Sequence, residues 1–64
     1  MTFGERLKKL RQKRSMSQFE LSLKAEIPQC SISWYETNKT NPTLENIKSL
    51  CDAFNVSATE LLGF

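Results

Sequence analysis

The chain is expected to be all-α, a compact array of five short helices, on three observations. Apolar residues recur every three or four positions in separate stretches, the period of helices that each bury one stripe. Three S/T-x-x-E pairs, Thr2/Glu5, Ser17/Glu20 and Ser57/Glu60, mark helix starts. In such a box the hydroxyl takes the N3 amide and the Glu reaches back to the cap. No stretch alternates apolar and polar residues as a half-buried strand does. The helices are placed at about 3–13, 17–24, 28–36, 43–54 and 57–62, in a single domain over 1–64. That length lies near the lower limit for a self-sufficient core.

The first helix follows the Thr2 cap, and Phe3, Leu7 and Leu10 form its narrow apolar stripe. It ends near Lys13 or Arg14, where cations suit the helix dipole. The second starts at Ser17, with Met16 and Leu21 as a hydrophobic staple. Leu21 and Ala25 give it an inner face, and Ser22 is small enough for a close, steep helix crossing. Ala25-Glu26-Ile27 is the turn, and Pro28 suits the first position of the third helix. On a helical wheel Pro28, Ile32 and Tyr35 share one face of that helix. Gln29, Cys30, Ser33 and Trp34 fall on the other and point outward. Asn38 is the candidate left-handed residue that stops it. Thr43 caps the fourth helix, in which Leu44, Ile47, Leu50, Cys51 and Phe54 share a face. Val56 and Leu61 staple the fifth. The expected core is Phe3, Leu7, Leu10, Leu21, Ile32, Tyr35, Leu44, Ile47, Leu50, Phe54, Val56 and Leu61.

Helices 2 and 3, joined by a turn of about three residues with the second presented outward, read as a helix-turn-helix. Charge is uneven along the chain. Residues 1–14 carry six basic side chains against one acid, whereas residues 15–64 carry three against six. A basic first helix is compatible with a polyanionic partner, or is simply a solvated face. No apolar run approaches membrane-spanning length, and Met1-Thr2-Phe3-Gly4 leads into charges, not a signal peptide. The expected location is cytoplasmic, with no membrane association. Cys30 and Cys51 lack metal-ligand spacing, so neither a metal nor a disulfide is expected. With no His, no paired carboxylates on one face and no Gly-rich phosphate loop, nothing offers catalysis or a cofactor site.

The pieces Phe3-Gly4-Glu5-Arg6-Leu7-Lys8-Lys9-Leu10-Arg11, Ser17-Gln18 with Leu21, Ile32-Ser33-Trp34-Tyr35-Glu36 and Pro42-Thr43-Leu44 stand in order. Together with helix 4 and Val56-Ser57 through Leu61-Leu62, they resemble the lambda-repressor-like, Cro-type (Xre family) helix-turn-helix domain. The resemblance covers about Phe3 to Leu62. The chain departs from it at Glu26 and Asn38, where the family favours Gly. A left-handed non-Gly residue costs about 1–2 kcal/mol, so the Glu26 turn is either strained or differently shaped.

The resemblance implies a transcriptional regulator that binds double-stranded DNA, acts as a repressor and lays helix 3 in the major groove. Gln29 suits adenine, whose N6 and N7 a side-chain amide pairs together. Cys30, Ser33 and Trp34 are the other candidate base contacts. Ser17, Gln18, Lys39 and Asn41 are candidates for phosphate. Arg11 and Glu36 match family positions that form a partly buried ion pair. One short recognition helix reads few bases, so a homodimer on a two-fold site is expected, with Leu62 and Phe64 as dimer contacts. Phe19 and Leu23, four apart on helix 2, either cover the edge between helices 1 and 2 or mark a protein partner's surface. Alternatives are an interaction module of this fold with weak DNA binding, or the antitoxin of a toxin–antitoxin pair.

Overall fold

The computed structural model describes residues 1–63. Five helices follow in order: α1 (Phe3–Lys13), α2 (Gln18–Ala25), α3 (Gln29–Glu36), α4 (Leu44–Phe54) and α5 (Ala58–Leu62). Thr2, Ser17, Thr43 and Ser57 stand just ahead of four of them in extended conformation. Each hydroxyl accepts the amide three residues on, at 3.0–3.2 Å. The return bond from the Glu closes the box at Thr2/Glu5 and Ser17/Glu20. The third expected box is only half formed, because Glu60 lines a groove with Arg6, Lys9 and Lys13 of α1 instead. Hydrogen bonds from the Thr2 backbone and hydroxyl hold the Glu5 carboxyl below its usual range. The stabilisation from this cap is therefore present above the unfolded-state value and lost as pH falls through the lowered one.

Pro28 is the N-cap of α3 and not its first helical residue. Its ψ of 140° is extended, while its carbonyl already accepts the Ile32 amide at 3.2 Å. Helix ends share one device. Ser15, Glu26, Asn38 and Asn55 all have φ between 55° and 59°. The residue after each sends its amide back five positions: Met16 to Arg11, Ile27 to Ser22, Lys39 to Trp34 and Val56 to Cys51. These are Schellman-type turns, and at three of the four an apolar residue beyond the left-handed one packs back onto the helix, Lys39 being the exposed exception. Met16 and Val56 are accordingly half-buried and Ile27 is buried. Glu26 adopts the strained branch of the expected alternatives, at φ 56° and ψ 43°.

Leu7, Leu21, Ile32, Leu50, Phe54 and Leu61 are fully enclosed. Tyr35, Ala25, Ile27, Cys51 and Ala53 complete the buried apolar set, with Phe3, Leu10 and Ile47 partly buried against it. Leu44 is not core: it is 83% exposed. It sits at the edge of the α4 stripe and heads the helix, so no earlier turn of α4 covers it. Among the described residues no helix is long and apolar enough to cross a membrane.

α1 packs on α3 and α5, α2 on α3 and α4, and α4 on α5. The α1–α3 contact is close at Gly4, where an added Cβ would lie 2.5 Å from the Tyr35 carbonyl oxygen and 2.6 Å from that of Glu36. Asn38 fixes the same crossing. It accepts the Gly4 amide at 3.1 Å and donates to the Thr2 hydroxyl at 3.1 Å. The Phe3 and Tyr35 rings meet edge to face at 6.4 Å, and Asn46 donates to the Tyr35 hydroxyl at 2.7 Å.

Glu36, at the end of α3, is 8% exposed, and its carboxylate gathers three elements. Arg11 of α1 donates from Nε to Oε2 at 2.6 Å and from Nη2 to Oε1 at 3.1 Å. Arg11 Nη1 also donates to the Met16 carbonyl at 2.8 Å, and Gln18 Nε2 of α2 donates to Glu36 Oε1 at 3.1 Å. Breaking a buried pair strands a charge, at a cost of about 3–5 kcal/mol. Urea denaturation of Arg11→Ala should therefore show a loss of about 3 kcal/mol, whereas Arg11→Met with Glu36→Met together should lose much less. Equal losses would contradict the clamp. Glu26→Gly should be neutral to stabilising by up to about 1 kcal/mol, since it removes left-handed strain but adds unfolded-chain entropy. A lower urea midpoint would contradict strain at Glu26.

Candidate nucleic-acid interface

α3 is held by one face. Ile32, Tyr35 and Glu36 are buried on it. Across the helix Gln29 and Cys30 are exposed, Trp34 is 47% exposed and Ser33 is half-buried. Ile32 and Tyr35 form the apolar stripe that turns inward, and the opposite face is polar but for Cys30 and the partly exposed Trp34 ring. Among the described residues no hydrogen bond engages the Gln29 amide or the Trp34 indole. The face therefore offers a donor–acceptor pair, a thiol, a hydroxyl and a flat ring. It carries no charge of its own until Glu36, which is neutralised within the fold.

The first turn of α2 lies beside α3. Ser17 is exposed, and its hydroxyl is taken up by the Glu20 amide at 3.0 Å. Glu20 in turn accepts the Ser17 amide at 2.9 Å, which sets a carboxylate at this helix start. Gln18 is half-buried and joined to Glu36, and this amide keeps a second N–H. Lys39 and Asn41 are exposed in the segment that follows α3.

The basic excess of α1 lies elsewhere. Arg11 is committed to Glu36, and Arg14 donates to the Phe54 carbonyl at the end of α4. Arg6, Lys9 and Lys13 line a groove shared with Glu60 of α5. Phe19 and Leu23 are 56% and 64% exposed, so they do not cover an edge between α1 and α2. Leu62 is half-buried, and Phe64 lies outside the described residues. Both cysteines are free: Cys30 is exposed, whereas burial pushes the Cys51 thiol up. Among the described residues no group of three or more His, Cys, Asp or Glu side chains could hold a metal ion.

The Arg11–Glu36 pair that the family resemblance implies is formed, but sequence reasoning did not find the other tethers that orient α3. The join of Gln18 to Glu36 has no local signature. The close approach at Gly4 could have been suspected from a glycine set in the first turn of an otherwise regular helix. The left-handed Ser15, and the burial of Ile27, were visible in principle as a polar residue followed by an apolar one after a helix end.

A family model described as helix-turn-helix matches residues 7–61. The HTH-type transcriptional regulator ImmR of Bacillus subtilis is 36% identical over 63 residues, which is 98% of this chain and 50% of that protein. The chain spans between 31% and 50% of the length of the curated relatives it matches. Among solved structures, the restriction-modification controller protein C.AhdI of Aeromonas hydrophila superposes with a TM-score of 0.90 at 30% identity, covering 94% of this chain and 91% of that one. The P22 c2 repressor, solved in complex with a synthetic operator, also gives 0.90, at 31% identity, covering 97% and 94%. These matches span nearly every element described above, and the chain belongs to the helix-turn-helix family, with the all-α fold of the P22-type repressor domains.

Proposed function

We propose that this chain is a sequence-specific double-stranded DNA-binding regulator of transcription, a repressor that works in the cytoplasm as a homodimer with α3 in the major groove. The observation that carries this reading is the free outer face of α3, held outward by the clamp on its back. The P22 c2 repressor, whose fold this chain shares, was solved on an operator, and ImmR is a transcriptional regulator. Binding is the whole activity, and no reacting group or cofactor takes part.

Each side chain has a role in this reading. Gln29 reads adenine through its amide, and Ser33 bonds a base or phosphate. Trp34 packs on a thymine methyl or the sugar–phosphate wall, and Cys30 makes soft contacts beside them. Ser17, Gln18, Lys39 and Asn41 hold phosphates and fix register without reading sequence. At the start of α2 the Gln18 and Phe19 amides are free to meet a phosphate, and Ser17 Oγ, which accepts the Glu20 amide, keeps its own proton to donate. The Arg11–Glu36 pair serves the fold and does not touch DNA.

A second reading rests on Phe19 and Leu23, whose exposure suits a protein partner on α2. An alanine pair at these positions that leaves self-association and partner binding unchanged would remove it.

For the leading reading, duplex selected from a random pool is titrated against unrelated duplex at rising salt. Gln29→Ala should weaken the selected site by about 1–3 kcal/mol and leave unrelated DNA nearly unaffected. Lys39→Ala should weaken both alike and reduce the salt slope by about 1. Equal losses on both duplexes for Gln29→Ala would contradict base reading.

A further inference from the structure

We propose that Asn38 is a positioning residue for DNA binding: its side-chain amide ties the segment carrying Lys39 and Asn41 to the start of α1, and so sets where that segment meets the phosphates. The proposal rests on the reading in which Lys39 and Asn41 hold phosphates. Asn38 stands at φ 59°, the left-handed residue that closes α3. That conformation needs no side chain, and glycine takes it without steric cost. The carboxamide is nevertheless engaged at both ends across the fold. Its Oδ1 accepts the Gly4 amide at 3.1 Å, and its Nδ2 donates to the Thr2 hydroxyl at 3.1 Å. Gly4 is buried, and its amide belongs to the first turn of α1, where no helical acceptor exists. Asn38 is its partner. The Thr2 hydroxyl is itself held, donating to the Glu5 carboxylate at 3.0 Å and accepting the Glu5 amide at 3.2 Å. The far end of the tether is therefore a fixed point on a helix.

The segment it anchors has little else to hold it. The Thr37, Asn38 and Lys39 amides bond back onto α3, at the Ser33, Tyr35 and Trp34 carbonyls. From there to the Thr43 cap of α4, no hydrogen bond among the described residues engages Thr40, Asn41 or Pro42. Lys39, Thr40 and Asn41 are all exposed. A group that moves freely must be ordered when it binds, and fixing its root beforehand lowers that cost. Asn38 stands next to Lys39 at this root and refers the segment to α1. The same helix fixes α3 through Arg11 and Glu36. The phosphate-facing segment and the base-facing helix thus share one frame.

The test is titration of the whole chain against selected and unrelated duplex with Asn38→Gly, which keeps the left-handed turn and loses both bonds. Affinity should fall by about two- to tenfold, the worth of one group left unordered. The loss should be alike on both duplexes, so that the ratio between them, which Gln29 sets, does not move. Thr2→Val loosens the tether from the α1 side and leaves the segment's own sequence intact; it should weaken both duplexes in the same sense. In a Lys39→Ala, Asn41→Ala background Asn38→Gly should cost nothing further, because a positioning residue acts only through the groups it positions. Each variant is titrated below its melting range, followed by circular dichroism, so that loss of folded protein does not enter. Wild-type affinity in Asn38→Gly, a loss there without one in Thr2→Val, or an equal loss with and without Lys39 and Asn41 would each overturn the proposal. Failure of the underlying reading shows separately: Lys39→Ala with Asn41→Ala would then bind both duplexes as tightly as the wild type, and this inference would fall with it.

Discussion

The structure depends on the Glu36 carboxylate. An anion at the C-terminal end of a helix faces the unfavourable pole of the helix dipole, and burial adds a desolvation cost. Glu36 bears both, and it is sustained because α1 supplies the Arg11 fork and α2 supplies the Gln18 amide. The same guanidinium holds the Met16 carbonyl in the link between α1 and α2. Three helices and a connection thus converge on one side chain. A buried pair of this kind gives little net stability over a well-packed apolar one, so its contribution is one of register. Rotating α3 about its axis, or sliding it along α1, would break all of these bonds together.

That constraint decides what α3 presents. With Ile32, Tyr35 and Glu36 fixed inward, Gln29, Cys30 and Trp34 face out without any further interaction to hold them. Gly4 and Asn38 act on the same crossing from the α1 side, one by allowing backbone approach and the other by bonding both partners. The outer face is neutral, and of the cations of α1, Arg11 is used in the fold and Arg6, Lys9 and Lys13 lie toward α5. On the proposed reading, affinity from phosphates comes from few groups and discrimination from amide and aromatic contacts, and pairing two copies on one site enlarges so small a reading surface.

Much of this was legible in the sequence because helix signals are local. Thr2, Ser17, Thr43 and Ser57 each declare a helix start through their own next three residues. The Ile32/Tyr35 stripe orients α3 by periodicity alone. Legibility stops where the physics becomes non-local. The wheel assigns Leu44 to the core because it counts only the residue's own helix, whereas exposure depends on whether a neighbouring element reaches that far. Ile27 is the opposite case: its place in a turn hides it from periodicity, yet the left-handed Glu26 before it swings it inward. The roles of Gln18 and Asn38 depend on partners 18 and 34 residues away, which no window in the sequence connects. Pro28 shows the smallest error, a shift of one position between cap and first turn.

The most direct measurement is the nuclear magnetic resonance spectrum of the labelled protein with a DNA duplex selected by the protein itself. The account predicts intermolecular contacts from the Gln29 amide and the Trp34 ring to base protons, with the Arg11 and Glu36 signals little moved. Contacts confined to α1 or α5, with the α3 resonances unshifted, would contradict it.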